Sequence, residues 1–497
     1  MGDYHGHPPF HQPGKAVKDF MLGTRVERSR ELIEDEELMV VWFLHIECLM
    51  LGAANCVLLP NFWCSGRTVF APTPDWGMNL PDGNYFNESR VRRLGQMLLE
   101  PLRIAFATPE YVTEEYFDGG LANYIHRVAK ALAGMGHDIH VLTLSEIDEA
   151  EFEHEGVTVH RITSSKWWSQ LNRLTRYRLA TTPLFLDLSV KVYRKLKWLN
   201  SQQPLHLVQF SNYSCCGLVS IYCLNVPHVM RASSYQPAWN DAAGVKRKLN
   251  SRMVERLEGL QFRRSRYIYA PSYTLQQMLA REARLPHVRV IRTPFYVETR
   301  DWDNSVYDRF LKGKKYLLFF GRFQLHKGFH TLAQALPRVL GQYPDAYAAL
   351  VGRDMESRLA PSMADYARVQ CGSFAERLVL LEKLPHRQLY PVIAGAHLVV
   401  LPSLIENLPN ACLEAMGLGK VVIGTVGTSF DELISEGATG FLVSPNNPEA
   451  LAEKIISAWI HPKLEEIGEA ARQTILEFSP EKTVETLLTY YQEILHG

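Results

Sequence analysis

The sequence AHLVVLPSLIENLPNACLEAMGLGKVVIGT, residues 396–425, contains the pattern that decides the fold. An apolar run of strand length ends at Pro402-Ser403, a polar turn follows, a helical segment closes with glycine, and a second apolar run completes the unit. Strand, loop, helix and strand in this order form a βαβ unit of a parallel sheet. We therefore expect the loop before the helix to lie at the carboxyl edge of a sheet, where ligands bind in this class of fold.

The same alternation continues on both sides of this stretch. A strand at 104–107 is followed by a glycine-containing turn, a helix with one apolar face and the strand IHVLTL, and similar units continue to about residue 294. The pattern restarts with KYLLFFGRF at 315–323 and runs to GFLVSP at 440–445. It predicts an α/β chain with two facing Rossmann-like, doubly wound domains and a cleft between them.

The composition of the chain shifts at about residue 100. The predicted parts are an N-terminal extension of unknown role (1–100), an N-terminal domain (101–295), a C-terminal domain (296–478) and a last helix that crosses back to the N-terminal domain (479–497). The extension holds an apolar run at 37–63, but His45 and Glu47 interrupt it and the acidic sequence EDEE precedes it. This pattern is poor for a membrane span or a signal peptide, so we expect a small accessory subdomain or a loosely attached segment.

Charge and cysteine content exclude several functions. The 53 Lys and Arg residues balance the 53 Asp and Glu residues, so the net charge provides no general attraction to nucleic acid. The eight cysteines include no C-x-x-C and no close Cys/His ligand pattern, which disfavours a zinc site. Their scatter is typical of reduced, packed thiols and favours a cytoplasmic protein.

Two loops carry residues suited to phosphate. Gly119 and Gly120 can bring backbone amides close to an anion at a helix N-terminus, although a tight turn explains this pair equally well. Arg322 and Lys327 follow the apolar strand of FFGRFQLHKG and provide a forked guanidinium and a mobile ammonium, the groups that bind a diphosphate. Solvated surface positions are the alternative for both cations.

The loop of the opening stretch carries two carboxylates. Glu406 precedes the helix, Pro409 suits its first position, and Glu414 lies within it, two turns deeper by helical rise. Sugar hydroxyls are good partners for carboxylates in a cleft, and the backbone of 407–410 (Asn407, Leu408, Pro409 and Asn410) lies at the positive end of the helix. Capping or surface pairing is the alternative for either glutamate.

The E-x7-E pattern of SLIENLPNACLEAMGLGK, with GRFQLHKGF before it, resembles the family 4 glycosyltransferases, which are retaining enzymes of GT-B architecture. The likeness covers about residues 102–495 and is strongest over 316–455. It implies that Arg322 and Lys327 hold the diphosphate of a nucleotide-sugar donor, that Glu406 contacts the sugar and that Glu414 contacts the ribose.

The resemblance also implies further contacts and a reaction. Gly120 would line the junction of donor and acceptor, and backbone atoms near Lys383 and Leu384 would contact the nucleobase. The implied reaction is a front-face transfer from a UDP-, GDP- or ADP-sugar to a glycan, lipid-linked or small-molecule acceptor, in the biosynthesis of glycans such as cell-envelope polysaccharide. Enzymes of this type generally need no divalent metal and no other cofactor.

One segment departs from the family pattern. Family members often carry a histidine after a P-x-V strand of the N-terminal domain, but VPHVMRASSYQ has Arg231 and Ser233 there. His228 lies within the strand, where a satisfied core histidine is expected. The N-terminal catalytic partner therefore stays open, with Arg231 as a candidate anion contact.

A basic stretch concerns the acceptor side. Residues 166–198 hold eight Lys or Arg residues and one Asp, interleaved with aromatic residues such as Trp167 and Trp198. Such a stretch suits peripheral contact with an anionic membrane or a phosphorylated acceptor, or else forms a solvated basic helix. No nucleic-acid recognition module accompanies it.

Three competing functions stay open on the sequence. A nucleotide-sugar epimerase of the same fold would act on the donor without an acceptor. A sugar-phosphorolysing relative would need a pyridoxal cofactor. A non-catalytic nucleotide-sugar-binding protein would keep only the fold, although the joint presence of Arg322, Lys327, Glu406 and Glu414 argues for a working site.

Overall fold

The computed structural model describes residues 101–114, 120–165, 172–174, 176, 178–297 and 301–497. The N-terminal extension with its apolar run, Gly119 and part of the basic stretch lie outside the described residues. Among the described residues, no helix is both long and apolar enough to cross a membrane.

The N-terminal domain is built on an eight-stranded sheet with the order β3-β4-β2-β1-β5-β6-β7-β8. Its elements are β1 (Arg103–Thr108), α1 (Gly120–Gly134), β2 (Asp138–Ser145), β3 (Glu151–His154), β4 (Val157–Thr163), α2 (Thr182–Gln202), β5 (Leu207–Ser211), α3 (Leu218–Cys223), β6 (His228–Arg231), α4 (Gln236–Ala242), α5 (Leu249–Arg264), β7 (Ile268–Ala270), α6 (Tyr273–Glu282) and β8 (Val288–Val290). All neighbouring strands pair in parallel except β3 and β4, which form an antiparallel hairpin at one edge.

The C-terminal domain is built on a six-stranded parallel sheet with the order β11-β10-β9-β12-β13-β14. Its elements are α7 (Ser305–Phe310), β9 (Lys315–Phe320), α8 (Phe329–Gln342), β10 (Ala346–Val351), α9 (Met363–Cys371), β11 (Leu378–Leu381), α10 (His386–Ala394), β12 (Leu398–Val400), α11 (Asn410–Gly417), β13 (Val422–Thr425), β14 (Phe441–Val443), α12 (Pro448–Trp459) and α13 (Leu464–Ile475), and the chain closes with α14 (Pro480–His496).

The strands are apolar runs because helices cover both faces of each sheet. All six residues of β1 are buried, and so are all residues of β9 after Lys315. In both sheets the strand order reverses next to the first strand, between β1 and β5 and between β9 and β12. These reversals are topological switch points, and the loops at their carboxyl ends form the expected ligand crevice. The predicted pair of Rossmann-like domains is confirmed.

The last helix returns to the N-terminal domain. Val484, Leu487 and Tyr491 of α14 are buried in the same hydrophobic cluster as Ile104 and Phe106 of β1. The polypeptide therefore passes between the domains twice, once at 295–297 and again before Pro480.

Candidate active site

The loop after β9 is shaped by glycine. Gly328 has a φ of 66°, and a Cβ atom at this position would overlap the carbonyl oxygen of Pro402 at the end of β12. Glycine permits both the left-handed backbone and the close approach. The short 3-10 turn at Leu325–Lys327 is thereby pressed against the end of β12.

This packing brings two predicted site residues together. The Nζ atom of Lys327 lies 2.5 Å from Oε1 of Glu406, and the Ser403 hydroxyl donates to the same oxygen at 2.9 Å. Glu406 is 7% exposed. Among the described residues nothing is bonded to its second oxygen, Oε2. One carboxylate oxygen therefore anchors the lysine while the other stays available to a ligand.

The helix that follows carries the second glutamate. Pro409 has an extended backbone and acts as the N-cap, so α11 begins at Asn410, one residue later than predicted. Glu414 lies within the helix as predicted, about one turn and roughly 6 Å from its first residue. Its Oε1 atom is 3.3 Å from Nε2 of His386, the first residue of α10.

The predicted nucleobase segment ends at this histidine. Lys383 and Leu384 lie in the loop between β11 and α10, and Leu384 packs against the core of the C-terminal domain. The His386 ring stacks on Tyr390 at a centroid distance of 5.3 Å. The structure therefore brings the E-x7-E helix into contact with the residue that follows the predicted base-binding loop, through His386 and Glu414.

Two contacts join the domains directly at the cleft. A Cβ atom on Gly120, the first residue of α1, would lie 2.7 Å from Nδ2 of Asn410, so the two residues face each other across the cleft. Asn407 donates from Nδ2 to the carbonyl oxygen of Ser233 at 2.8 Å. Leu408, between these asparagines, packs against the core of the C-terminal domain.

Trp239 of α4 reaches the lysine loop from the N-terminal domain. Its ring packs edge-on against His326 with centroids 4.8 Å apart, and Nζ of Lys327 lies 5.8 Å from the ring centroid. The indole nitrogen is buried with no hydrogen-bond partner among the described residues. Burial and the neighbouring cations Lys327 and Arg322 lower the pKa of His326 to about 3, so this imidazole is neutral in a positive environment.

Arg322 lines a cavity of about 340 Å³ between the domains. The lining residues are Pro109, Glu110, Leu144, Phe185, Tyr213 and Ser214 from the N-terminal domain and Arg322, Arg353 and Met355 from the C-terminal domain. Ser214 has a φ of 59° and belongs to a strained 3-10 turn after β5. Strained backbone of this kind is frequent at functional sites.

Arg231 is held inside the N-terminal domain. It is 4% exposed, its guanidinium carbon lies 3.8 Å from the Tyr124 ring centroid, and it donates to the hydroxyls of Thr293 (3.1 Å) and Ser233. Ser233 is the residue that Asn407 contacts, so Arg231 supports the inter-domain contact from behind. Its role as an anion contact stays a prediction.

Four contacts of the site were missed from the sequence. Ser403 and His386 hold the two glutamates, Trp239 covers the lysine loop, and Arg353 adds a second guanidinium to the cavity. Ser403 and His386 lie in the quoted motifs, but nothing in their spacing assigned them. Trp239 and Arg353 could be assigned to the site only from the three-dimensional packing of the two domains.

The basic stretch is partly neutralised where the structure describes it. On α2, Nζ of Lys195 lies 3.2 Å from Glu151 and Nζ of Lys191 lies 3.5 Å from Glu149. Trp198 is 47% exposed, and Lys195 also lies over its ring. These pairs reduce the positive charge that α2 presents, relative to the sequence count.

Two family descriptions match the chain, one on each domain. The model named Glycosyltransferase Family 4 matches residues 118–298, and the model named Glycosyl transferases group 1 matches residues 314–460.

Proteins with similar sequences carry related names. An uncharacterized glycosyltransferase of Methanocaldococcus jannaschii is 24% identical over 378 residues, which are 72% of this chain and 90% of the relative. The glycogen synthase of Mycobacterium tuberculosis is 25% identical over 392 residues, 74% of this chain and 89% of the relative. A D-inositol 3-phosphate glycosyltransferase of Corynebacterium urealyticum is 28% identical over 192 residues, 36% of this chain and 43% of the relative.

Solved structures show the same architecture. The sucrose-phosphate synthase of Thermosynechococcus elongatus superimposes with a TM-score of 0.63 at 19% identity, covering 80% of this chain and 99% of its own. Anabaena HepE, solved with UDP and glucose, superimposes with a TM-score of 0.57 at 18% identity, covering 79% of this chain and 100% of its own. The expected GT-B fold is confirmed.

Proposed function

Because the chain belongs to the family 4 glycosyltransferases, we propose that it is a retaining enzyme that transfers a sugar from a nucleoside-diphosphate sugar to an acceptor hydroxyl. We propose further that the reaction needs no metal ion. A glycan, a lipid-linked sugar or a small molecule is the acceptor class.

The observation that supports this proposal most strongly is the Lys327–Glu406 pair at the switch point of the C-terminal sheet. On this proposal Lys327 and Arg322 bind the diphosphate, and the Glu406 oxygen that Lys327 does not contact accepts from a sugar hydroxyl. Glu414, which contacts His386 just after the loop of Lys383 and Leu384, would accept from the ribose. In this arrangement the nucleotide-sugar donor would lie along α11, with its sugar near Glu406 at the cleft and its ribose near Glu414.

The proposed reaction is a displacement on one face of the sugar. The bond between the anomeric carbon and the β-phosphate oxygen breaks, and a bond to the acceptor oxygen forms on the same face. The acceptor proton passes to the departing phosphate, whose charge is stabilised by Lys327, Arg322 and the N-terminus of α11. One pre-positioned donor of this kind contributes about 2.7–4 kcal/mol to lowering a barrier.

The cavity between the domains is the proposed place for the acceptor. It lies at the carboxyl ends of β1, β2 and β5 on one side and beside Arg322 on the other, so an acceptor there would meet the donor at the cleft. Gly120 lies at the same junction, where a side chain would crowd Asn410.

The donor nucleotide is tested first. HepE has been solved with UDP and with UDP-glucose, which makes UDP the first candidate beside GDP and ADP. Thermal unfolding of the full chain is measured with each nucleotide, with and without a chelator, because a ligand of the native state raises the melting temperature by mass action. We expect one nucleotide to raise it irrespective of chelator.

The matched variants are Glu414→Ala, which should weaken the shift, and Glu449→Ala on the exposed start of α12, which should not. No shift with any of the three nucleotides would contradict the proposed donor class. Epimerised free nucleotide sugar in place of a glycoside would favour the epimerase alternative.

Peripheral membrane contact through residues 166–198 and a cytoplasmic location stay proposals. Lys191 and Lys195 are paired with acids, so the remaining basic residues of the stretch would have to supply the attraction. Co-sedimentation with anionic and neutral vesicles tests this, and equal recovery with both would contradict it.

A further inference from the structure

Three potential metal ligands converge outside the cleft, at the edge of the N-terminal sheet. His126 lies on α1, His154 ends β3, and Glu155 lies in the turn to β4. One ring nitrogen of each histidine and one carboxylate oxygen lie within 4.8 Å of one another. The two contributing segments are far apart in sequence, so only the packing of the hairpin on α1 unites them.

Hydrogen bonding leaves this cluster incomplete. Nε2 of His126 lies 2.5 Å from Oε2 of Glu155, but Nδ1 of His154 is buried without a partner among the described residues. The buried hydroxyl of Tyr111, whose ring packs against both histidines at 6.1 and 5.9 Å, also has none. Unpaired buried polar atoms are costly, and a bound ion is one way in which they are satisfied.

Backbone geometry also holds the carboxylate in place. Glu155 has a φ of 52°, a left-handed conformation that is uncommon for a residue with a side chain. It precedes Gly156, which has a φ of 80°, so the turn points the Glu155 side chain back towards α1. Such local strain is found most often where function needs it.

We propose that His126, His154 and Glu155 bind a zinc ion. Two imidazole nitrogens and one carboxylate oxygen are a ligand set that zinc accepts at about 2.0–2.2 Å, with water as the fourth ligand. Ligand atoms around one tetrahedral zinc ion lie about 3.4 Å apart, so Nε2 of His126 and Oε2 of Glu155, now 2.5 Å apart, would separate to admit the ion. The proposal stands on this geometry and not on the proposed transfer reaction.

Lys130 has a supporting role in this arrangement. Its Nζ atom lies 2.9 Å from Oε1 of Glu155, the carboxylate oxygen that does not contact His126. A zinc ion would therefore bind Oε2, while Lys130 keeps hold of Oε1 and orients the carboxylate. Hydrogen-bonded partners behind metal ligands commonly act in this way.

The ion would fasten the β3–β4 hairpin to α1 and hold Tyr111 between them. Tyr111 follows Glu110, which lines the cavity between the domains. An ion bound there would therefore stabilise the loop that forms one wall of the cleft. The cysteine spacing that disfavoured a zinc site in the sequence did not bear on these residues.

The test is calorimetric titration of chelator-treated, untagged full-length protein with zinc chloride at pH 7.5, followed by cobalt titration as an absorbance probe. The N-terminal sequence also contains His5, His7 and His11, so the informative quantity is a difference in stoichiometry. The double variant His126→Gln/His154→Gln should bind one tight zinc ion fewer than the wild type. His287→Gln, which alters an exposed histidine, is the matched control and should bind the same number.

Glu155→Gln is the second variant, because an exposed turn residue tolerates this change without loss of the fold. It should weaken the same site by about tenfold or more. Zinc should also raise the melting temperature of the wild type and of the His287→Gln control, but not that of the double variant. Equal stoichiometry and affinity in the wild type, the double variant and Glu155→Gln would overturn the proposal.

Discussion

A buried carboxyl group in the N-terminal domain makes the stability of the protein depend on pH. Glu258 of α5 is 4% exposed and accepts hydrogen bonds from Nδ2 of Asn212 at 2.7 Å and from the backbone amide of Gln236 at 3.0 Å. Burial raises the pKa of Glu258 to about 7 and Glu255 adds to the rise, although the two hydrogen bonds oppose it. The group therefore titrates near neutrality in the folded protein.

The sign of the effect follows from proton binding. Between the ordinary glutamate pKa of 4.5 and about 7, the folded state holds a proton on Glu258 that the unfolded state has released. The free energy of unfolding therefore falls as the pH rises through this window. The full difference in pKa corresponds to about 3 kcal/mol, of which about 2–3 kcal/mol is lost between pH 5 and pH 8.

Glu258→Gln removes this titration. Urea unfolding is measured for the wild type and the variant at pH 5, 6, 7 and 8, and the wild type should lose about 2–3 kcal/mol more than the variant across this range. Glu485→Gln, on the exposed face of α14, is the matched control and should follow the wild type. The reasoning would be refuted if the free energy of unfolding changed with pH by the same amount in the wild type and in Glu258→Gln.

Three further predictions concern the cleft. Lys327→Met should lower kcat about 10²–10³-fold in a transfer assay. Glu406→Gln should also slow transfer, but in calorimetry it should bind the nucleoside diphosphate at least as tightly as the wild type, because it removes a negative charge beside the lysine. Equal weakening of nucleotide binding in both variants would contradict this prediction. Gly328→Ala should lower the free energy of unfolding by about 1–3 kcal/mol or more, because the backbone is left-handed there and the Pro402 carbonyl leaves no room for a Cβ atom. Urea unfolding measures this, and an unchanged midpoint would contradict the prediction. Glu432 of the C-terminal domain accepts hydrogen bonds from the amide and the hydroxyl of Thr274, at the start of α6 in the N-terminal domain, at 2.6 and 2.7 Å. Glu432→Gln should weaken this inter-domain contact, favour an open cleft and increase the radius of gyration measured by X-ray scattering. An unchanged radius of gyration would contradict this prediction.

The fold was predictable because its signals are local. The runs at β1 and β9 are apolar throughout, as central strands covered on both faces must be, and each ends in a loop with glycine or polar residues. The β3–β4 hairpin was not foreseen, because Glu151 and Glu153 alternate with less polar residues at an exposed edge and do not form an apolar run. The start of α11 was misplaced by one residue, because proline suits both the N-cap and the position after it.

The candidate site was predictable in its parts but not in its contacts. The glycines, cations and carboxylates lie in motifs whose order along the chain fixes their place at strand ends. The partners of these residues come from distant segments: Asn407 meets Ser233, and Lys327 meets Trp239, only through the docking of the two domains. No periodicity or spacing within one sequence encodes that docking, which is why Trp239 was missed.

Lys327 and Glu406 lie 79 residues apart in the sequence, and their pairing joins the loop after β9 to the loop before α11. An unpaired charge in this partly buried cleft would be costly, and the two groups neutralise each other while no donor is present. On the proposed reaction, the diphosphate brings negative charge to the lysine side and the sugar hydroxyls meet the free oxygen of Glu406. Lys327 is then already in place when charge develops on the leaving phosphate, so little reorganisation is needed at that moment. Ser403 helps to keep the carboxylate fixed, because its hydroxyl donates to the same oxygen that the lysine contacts.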